Sequence, residues 1–129
     1  MANKYFRSEF LRSCSVYPVF LVCNAQFQGA SAPIGFTTTG AVSSFTRTST
    51  GVYVITLADR YNFSLYNNYS WQNCAGLSGL SDLTAYFTPN VNNASPTITV
   101  TFINDAGAVT DPPSGAIINF FLLLNNSSV

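Results

Sequence analysis

The chain contains no histidine. That absence removes the usual general base, the usual activator of a serine or cysteine nucleophile, and the commonest zinc ligand. Charge is scarce as well. Asp, Glu, Lys and Arg make up 8% of the 129 residues, against roughly 25% in an ordinary soluble domain. Acids and bases balance at five each, so the formal net charge is zero. A protein of near-zero net charge tends to associate, and its polar surface must come from Ser, Thr and Asn. The expectation is a surface largely covered by neighbouring subunits. Cysteine is limited to Cys14, Cys23 and Cys74. An odd count without CxxC spacing indicates neither a disulfide framework nor a zinc site, and fits free thiols acting as small buried hydrophobes made in a reducing compartment. The apolar stretch Ala116 to Leu124 falls far short of the ~20 residues that a membrane-spanning helix needs.

The chain is nonetheless rich in what builds a core. Hydrophobic residues make up 47% of it, with eleven Phe and seven Tyr, which excludes a disordered segment. Its length fits one domain. Short segments of β-type sequence recur about every ten residues, broken by Gly, Pro, Asn and Ser. In Pro96 to Asn104, Ile98, Val100 and Phe102 share one face while Thr97, Thr99 and Thr101 share the other, the pattern of a half-buried antiparallel strand. Gly51 to Leu57 places Tyr53, Ile55 and Leu57 on one face, and Val42 to Arg47 precedes it across a short turn, predicting a hairpin. Leu83, Ala85 and Phe87 mark another strand, ended by Pro89-Asn90. Asp105-Ala-Gly107 and Asp111-Pro-Pro-Ser-Gly115 are turn chemistry. Helical signals are confined to single turns within Leu57 to Leu65 and Ser78 to Leu83, the second with Ser81 as cap. The expected fold is all-β: an antiparallel β-sandwich or jelly-roll-like domain over residues 16–129, preceded by an extended N-terminal arm over residues 1–15.

Two segments are apolar on both faces, Val16 to Phe27 and Ile117 to Leu124. Strands buried on both sides read this way. The second is either a contact between subunits, through Ile118, Phe120, Leu122 and Leu124, or a strand central to its own sheet. The first also has the look of a short signal-peptide core, but Pro18 interrupts it and Glu9 lies in the supposed basic region, so no cleavage is expected.

Tyr61 to Trp71 interleaves five aromatic rings with Asn and Ser. Rings with a polar handle, such as Tyr66, Tyr69 and Trp71, suit a protein interface. They also suit a carbohydrate groove, or a long loop packing its rings on the end of the sandwich. Stacking of single-stranded nucleic acid would need a basic groove that is absent here. Lys4, Arg7 and Arg12 against Glu9 give the first twelve residues a net charge of two. That is too small for phosphate recognition and suits an arm that docks on a partner. No nucleic acid and no membrane are expected as partners.

The acids offer little chemistry. Asp105 and Asp111 flank one turn region, where a carboxylate pair or a loose calcium site is conceivable, but Asp in a Gly/Pro-rich loop is ordinarily a turn former. Lys4 lies in the arm, where nothing is expected to hold it beside a serine. No glycine-rich phosphate cradle is present. The expectation is a protein that is not an enzyme, with no catalytic residues, metal or cofactor. The Asn-x-Ser sequons at Asn62, Asn68, Asn93, Asn125 and Asn126 matter only in a secreted eukaryotic protein.

Thr50-Gly-Val-Tyr-Val-Ile-Thr-Leu57 followed by Asp59-Arg-Tyr-Asn62 resembles small virion proteins of tailed phages, in which a TGxYxITL strand is often followed by a D-x-Y-N turn. The ending is similar too: a turn like Asp111-Pro-Pro-Ser-Gly115 leads into a last hydrophobic strand and a short polar tail, Asn125-Asn-Ser-Ser-Val129. These pieces cover about a third of the chain. The resemblance implies a head decoration, or cement, protein: a β-rich homotrimer made in the host cytoplasm. It would lie on the outer capsid surface, bind the major capsid protein and bridge capsomers. The alternatives are a phage tail or receptor-binding knob module that binds host glycans, and a secreted adhesin-like domain.

Overall fold

The computed structural model describes residues 18–37, 42–61, 63–72 and 76–125, and every regular element among them is a strand. These are β1 (Pro18–Gln28), β2 (Ser31–Thr37), β3 (Val42–Ser49), β4 (Val52–Leu57), β5 (Phe63–Gln72), β6 (Thr84–Asn90), β7 (Thr97–Ile103) and β8 (Ile117–Asn125). All pairings between them are antiparallel. Sheet A has the order β2-β1-β8-β5 and sheet B the order β3-β4-β7-β6. The chain passes between the sheets after β2, β4, β5 and β7, and β8 closes sheet A by inserting between β1 and β5. The fold is the expected all-β sandwich. The expected arm, with Lys4, Arg7, Arg12 and Cys14, lies outside the described residues, as does Cys74.

Period-two patterning accounts for most of this. On β7, Ile98, Val100 and Phe102 are 0% exposed and the threonines between them are half-buried on the other side. On β4, Tyr53, Ile55 and Leu57 are buried, and β3 pairs with it as the expected hairpin, Phe45 opposite Ile55. The apolar faces of the two sheets meet around Phe27 of β1. Its ring lies 5.0 Å from Tyr53, 5.4 Å from Phe102, and 6.1 Å from both Phe45 and Trp71, mostly edge to face, the arrangement that aromatic quadrupoles favour. Among the described residues, no buried side-chain nitrogen or oxygen lacks a hydrogen-bond partner.

Two differences from the sequence expectations, and one strand the sequence reading did not name, have physical causes. Neither expected helical turn is present among the described residues: the chain bends at residues 58–59 before β5, and Gly79 takes φ 87°, a backbone setting incompatible with a right-handed helix. Tyr61 to Trp71 is largely a strand, held by β8 along its length. Ser31–Thr37 also forms a strand although it contains Pro33 and Gly35. It is tolerated there because β2 is an edge strand, where the missing N–H of proline breaks no ladder on the open side. Pro89 sits likewise on the edge strand β6.

Candidate interaction surface

A strand that is apolar on both faces leaves open which face meets the core, and register decides it. β8 runs between β1 and β5, with Phe121 opposite Val22 and Asn68, and Leu123 opposite Phe20 and Tyr66. Ile118, Phe120, Leu122 and Leu124 are all 0% exposed. They are the inner face of sheet A, so the expectation that they form a subunit contact is corrected: they pack against sheet B. The outer face of β8 is the other set, Ile117, Asn119, Phe121 and Leu123, all half-buried. A polar residue in each strand marks that parity. Asn119 shares its face with Phe121 and Leu123, and Asn24 and Gln26 share theirs with Phe20 and Val22.

The same rule divides the aromatic stretch. A register shift between Ser64 and Tyr66, a β-bulge that adds one residue to the strand, leaves Tyr66 outside and 54% exposed. Tyr69 and Trp71 point inward and pack on the core. Trp71 lies 6.0 Å from Phe102 and 6.0 Å from Tyr69. The Tyr69 hydroxyl accepts from Ala85 N at 3.3 Å and donates to the Leu83 carbonyl at 3.5 Å, tying the open edge of sheet A to β6. Of the three rings expected at an interface, Tyr66 alone is on the outer face. The other two are corrected to partly buried rings packed against the core, so the three do not share one face.

Laid out by register, the outer face of sheet A consists of rows that run across β1, β8 and β5. Phe20, Leu123 and Tyr66 make one row, and Val22, Phe121 and Asn68 the next. Asn24, Asn119 and Ser70 follow, then Gln26, Ile117 and Gln72. The first two rows form an apolar patch. Phe20 stacks on Phe121 at 6.4 Å, and Phe20 and Val22 remain 56% and 40% exposed. The last two rows are mostly amide and hydroxyl. No strand of sheet A contains Asp, Glu, Lys or Arg. Sequence reasoning missed Phe20, Val22, Phe121 and Leu123, although the flanking Asn and Gln residues carried the signal.

The ionised groups gather elsewhere. Asp111, in the loop between β7 and β8, accepts from Arg47 Nε at 3.0 Å and Nη2 at 2.7 Å, from Gly51 N at 2.8 Å, and from the Tyr53 hydroxyl at 2.9 Å. The Arg47 hydrogen bonds hold its carboxyl below the ordinary value, aided by Gly51 and Tyr53 against a smaller opposing effect of burial. A carboxylate so engaged is a tie between loops and a poor proton donor. Asp105 lies in an exposed turn. Burial pushes the Cys23 thiol up to about 12, which leaves it inert as a nucleophile. Among the described residues, no group of three or more His, Cys, Asp or Glu side chains could hold a metal. The feature with the character of a site is therefore a surface: the uncharged, partly aromatic outer face of sheet A. Comparisons of the chain with protein-family models, with curated proteins and with solved structures each give no match.

Proposed function

We propose that this chain is a virion structural protein of the decoration kind. It binds the major capsid protein on the outer surface of a phage head, bridges capsomers as a homotrimer, and performs no catalytic step. The observation that supports this reading is the outer face of sheet A, which carries no charge and leaves Phe20, Val22 and Tyr66 open to solvent. Interface centres are depleted in charge and enriched in aromatic residues, and a soluble monomer has little reason to keep such a face uncovered. Each bound copy would add buried area between shell subunits and so favour the assembled shell by mass action. Repetition over a symmetric particle multiplies one modest contact many times.

Quantitative mass spectrometry of purified particles tests the proposal through the copy number of this chain relative to the major shell protein. Comparable numbers are expected. A count on the scale of tail parts would replace decoration with the tail-knob reading, and absence from the particle would remove both.

A further inference from the structure

We infer that the outer face of sheet A is where copies of this chain meet one another. It rests on the reading of that face as a protein-binding surface and gives the face to the contact between copies, leaving the contact with the shell to another part of the surface. Three features of the fold converge on a second copy.

The first is charge. With no ionised residue on any strand of sheet A, the face offers nothing to a charged partner, and burying a partner's unpaired charge against it would be costly. The surface it complements is one that is itself uncharged, apolar at one end and amide-bearing at the other, which is its own description. Two such faces approach without like-charge repulsion. The two apolar rows can bury against each other, while Asn24, Asn68 and Asn119 supply donors and acceptors for the remainder.

The second is size. Four strands spaced at about 4.8 Å, each about nine residues long at about 3.3 Å per residue, present a face of roughly 20 by 30 Å. That approaches the ~800 Å² per partner of a stable protein contact. Phe20, Val22, Tyr66 and the half-buried Phe121 and Leu123 together leave on the order of 300 Å² of surface open, within the range of the largest apolar patch on a typical monomer, which is often functional.

The third is contrast within the molecule. The outer face of sheet B carries Thr46, Val54, Thr99 and Thr88 in one register row and Val52, Thr101 and Tyr86 in another, a face dominated by threonine, with its one exposed ring, Tyr86, on the edge strand β6. Lateral growth of sheet A past β2 is disfavoured, because Pro33 and two register shifts interrupt that edge.

The test uses the purified full chain with no shell present. Sedimentation or light scattering at micromolar concentration should give a discrete multiple of the 13.9 kDa chain mass. Val22→Lys and Phe121→Lys should shift it to the monomer mass, and the milder Phe20→Ser should weaken association about tenfold or more. Thr99→Lys, on the outer face of sheet B, should leave assembly unchanged. Far-ultraviolet circular dichroism checks that each variant is folded, and Phe20→Ser, at a half-exposed position, keeps the test valid if a lysine variant fails to fold. A monomeric wild type would overturn the inference, as would folded outer-face variants that assemble normally, or loss of assembly in Thr99→Lys. Assembly in solution without binding to shells would leave it standing and remove the decoration reading. Shell binding by a monomeric wild type would do the reverse.

Discussion

Asp111 and Arg47 stand 64 positions apart in sequence and meet as a two-point ion pair, Nε to Oδ1 at 3.0 Å and Nη2 to Oδ2 at 2.7 Å. The pair joins the loop that leads into β8 to the β3–β4 hairpin. Oδ1 also takes the Gly51 N–H and the hydroxyl of the buried Tyr53. Gly51 and Tyr53 belong to the TGxYxITL segment and Asp111 opens the DPPSG turn. These two stretches are thus two halves of one clamp.

The clamp sets a pH dependence with a definite sign. Arg47 holds the Asp111 carboxyl below its ordinary 3.8, so its contribution is present above that value and is lost as pH falls through the lower folded value. Burial, followed by the bond to Asp111, raises the Tyr53 phenol above its ordinary 10.0. That contribution is present below the ordinary value and is lost as pH rises through the folded one. Thermal unfolding should therefore show a plateau from about pH 5 to about pH 9, with losses on both sides. Asp111→Asn should lower the plateau by about 1–3 kcal/mol and flatten the acid limb. An acid limb identical to wild type would mean that Asp111 is not the group responsible.

Gly51 has φ +67°, and a Cβ built on it would lie 2.6 Å from Val109 Cγ1 and 2.7 Å from the backbone nitrogen of Thr110. Gly107 has φ +82° with nothing within 4 Å. Gly107→Ala should then cost about 1 kcal/mol, the left-handed backbone alone. Gly51→Ala should cost about 2 kcal/mol or more, because the hairpin and the clamp loop must also separate. Urea unfolding of the two variants measures the difference, and equal midpoints would rule out close approach at Gly51.

Trp71 packs on Phe27 and Phe102, so Trp71→Ala should lower stability by about 3 kcal/mol. Tyr66→Ala, at an exposed position, should stay within about 0.5 kcal/mol for the isolated subunit. Denaturant midpoints under conditions that keep the chain monomeric decide this. An unchanged midpoint for Trp71→Ala with loss of glycan binding would instead make the ring a ligand platform.

The sequence alone determined the fold class and several elements. Alternation on β7, the β3–β4 hairpin and the strand ending at Asn90 were legible because each has one apolar and one polar face, so period two identifies both the strand and its buried side. Gly107 and Gly115 marked their turns because positive φ, 82° and 92°, falls naturally to glycine. Tertiary structure alone decided the rest. β8 is apolar on both sides, so the inward direction of Ile118, Phe120, Leu122 and Leu124 followed from its place between β1 and β5, not from its own pattern. A single bulge beside Tyr66 set which aromatic residues of β5 reach solvent. The partner of Asp111 was invisible locally, since a loop carboxylate reads as a turn former until folding brings Arg47 beside it. Local pattern reports that a strand has two faces; only the packing of the second sheet decides which face the core takes and which is left for a partner.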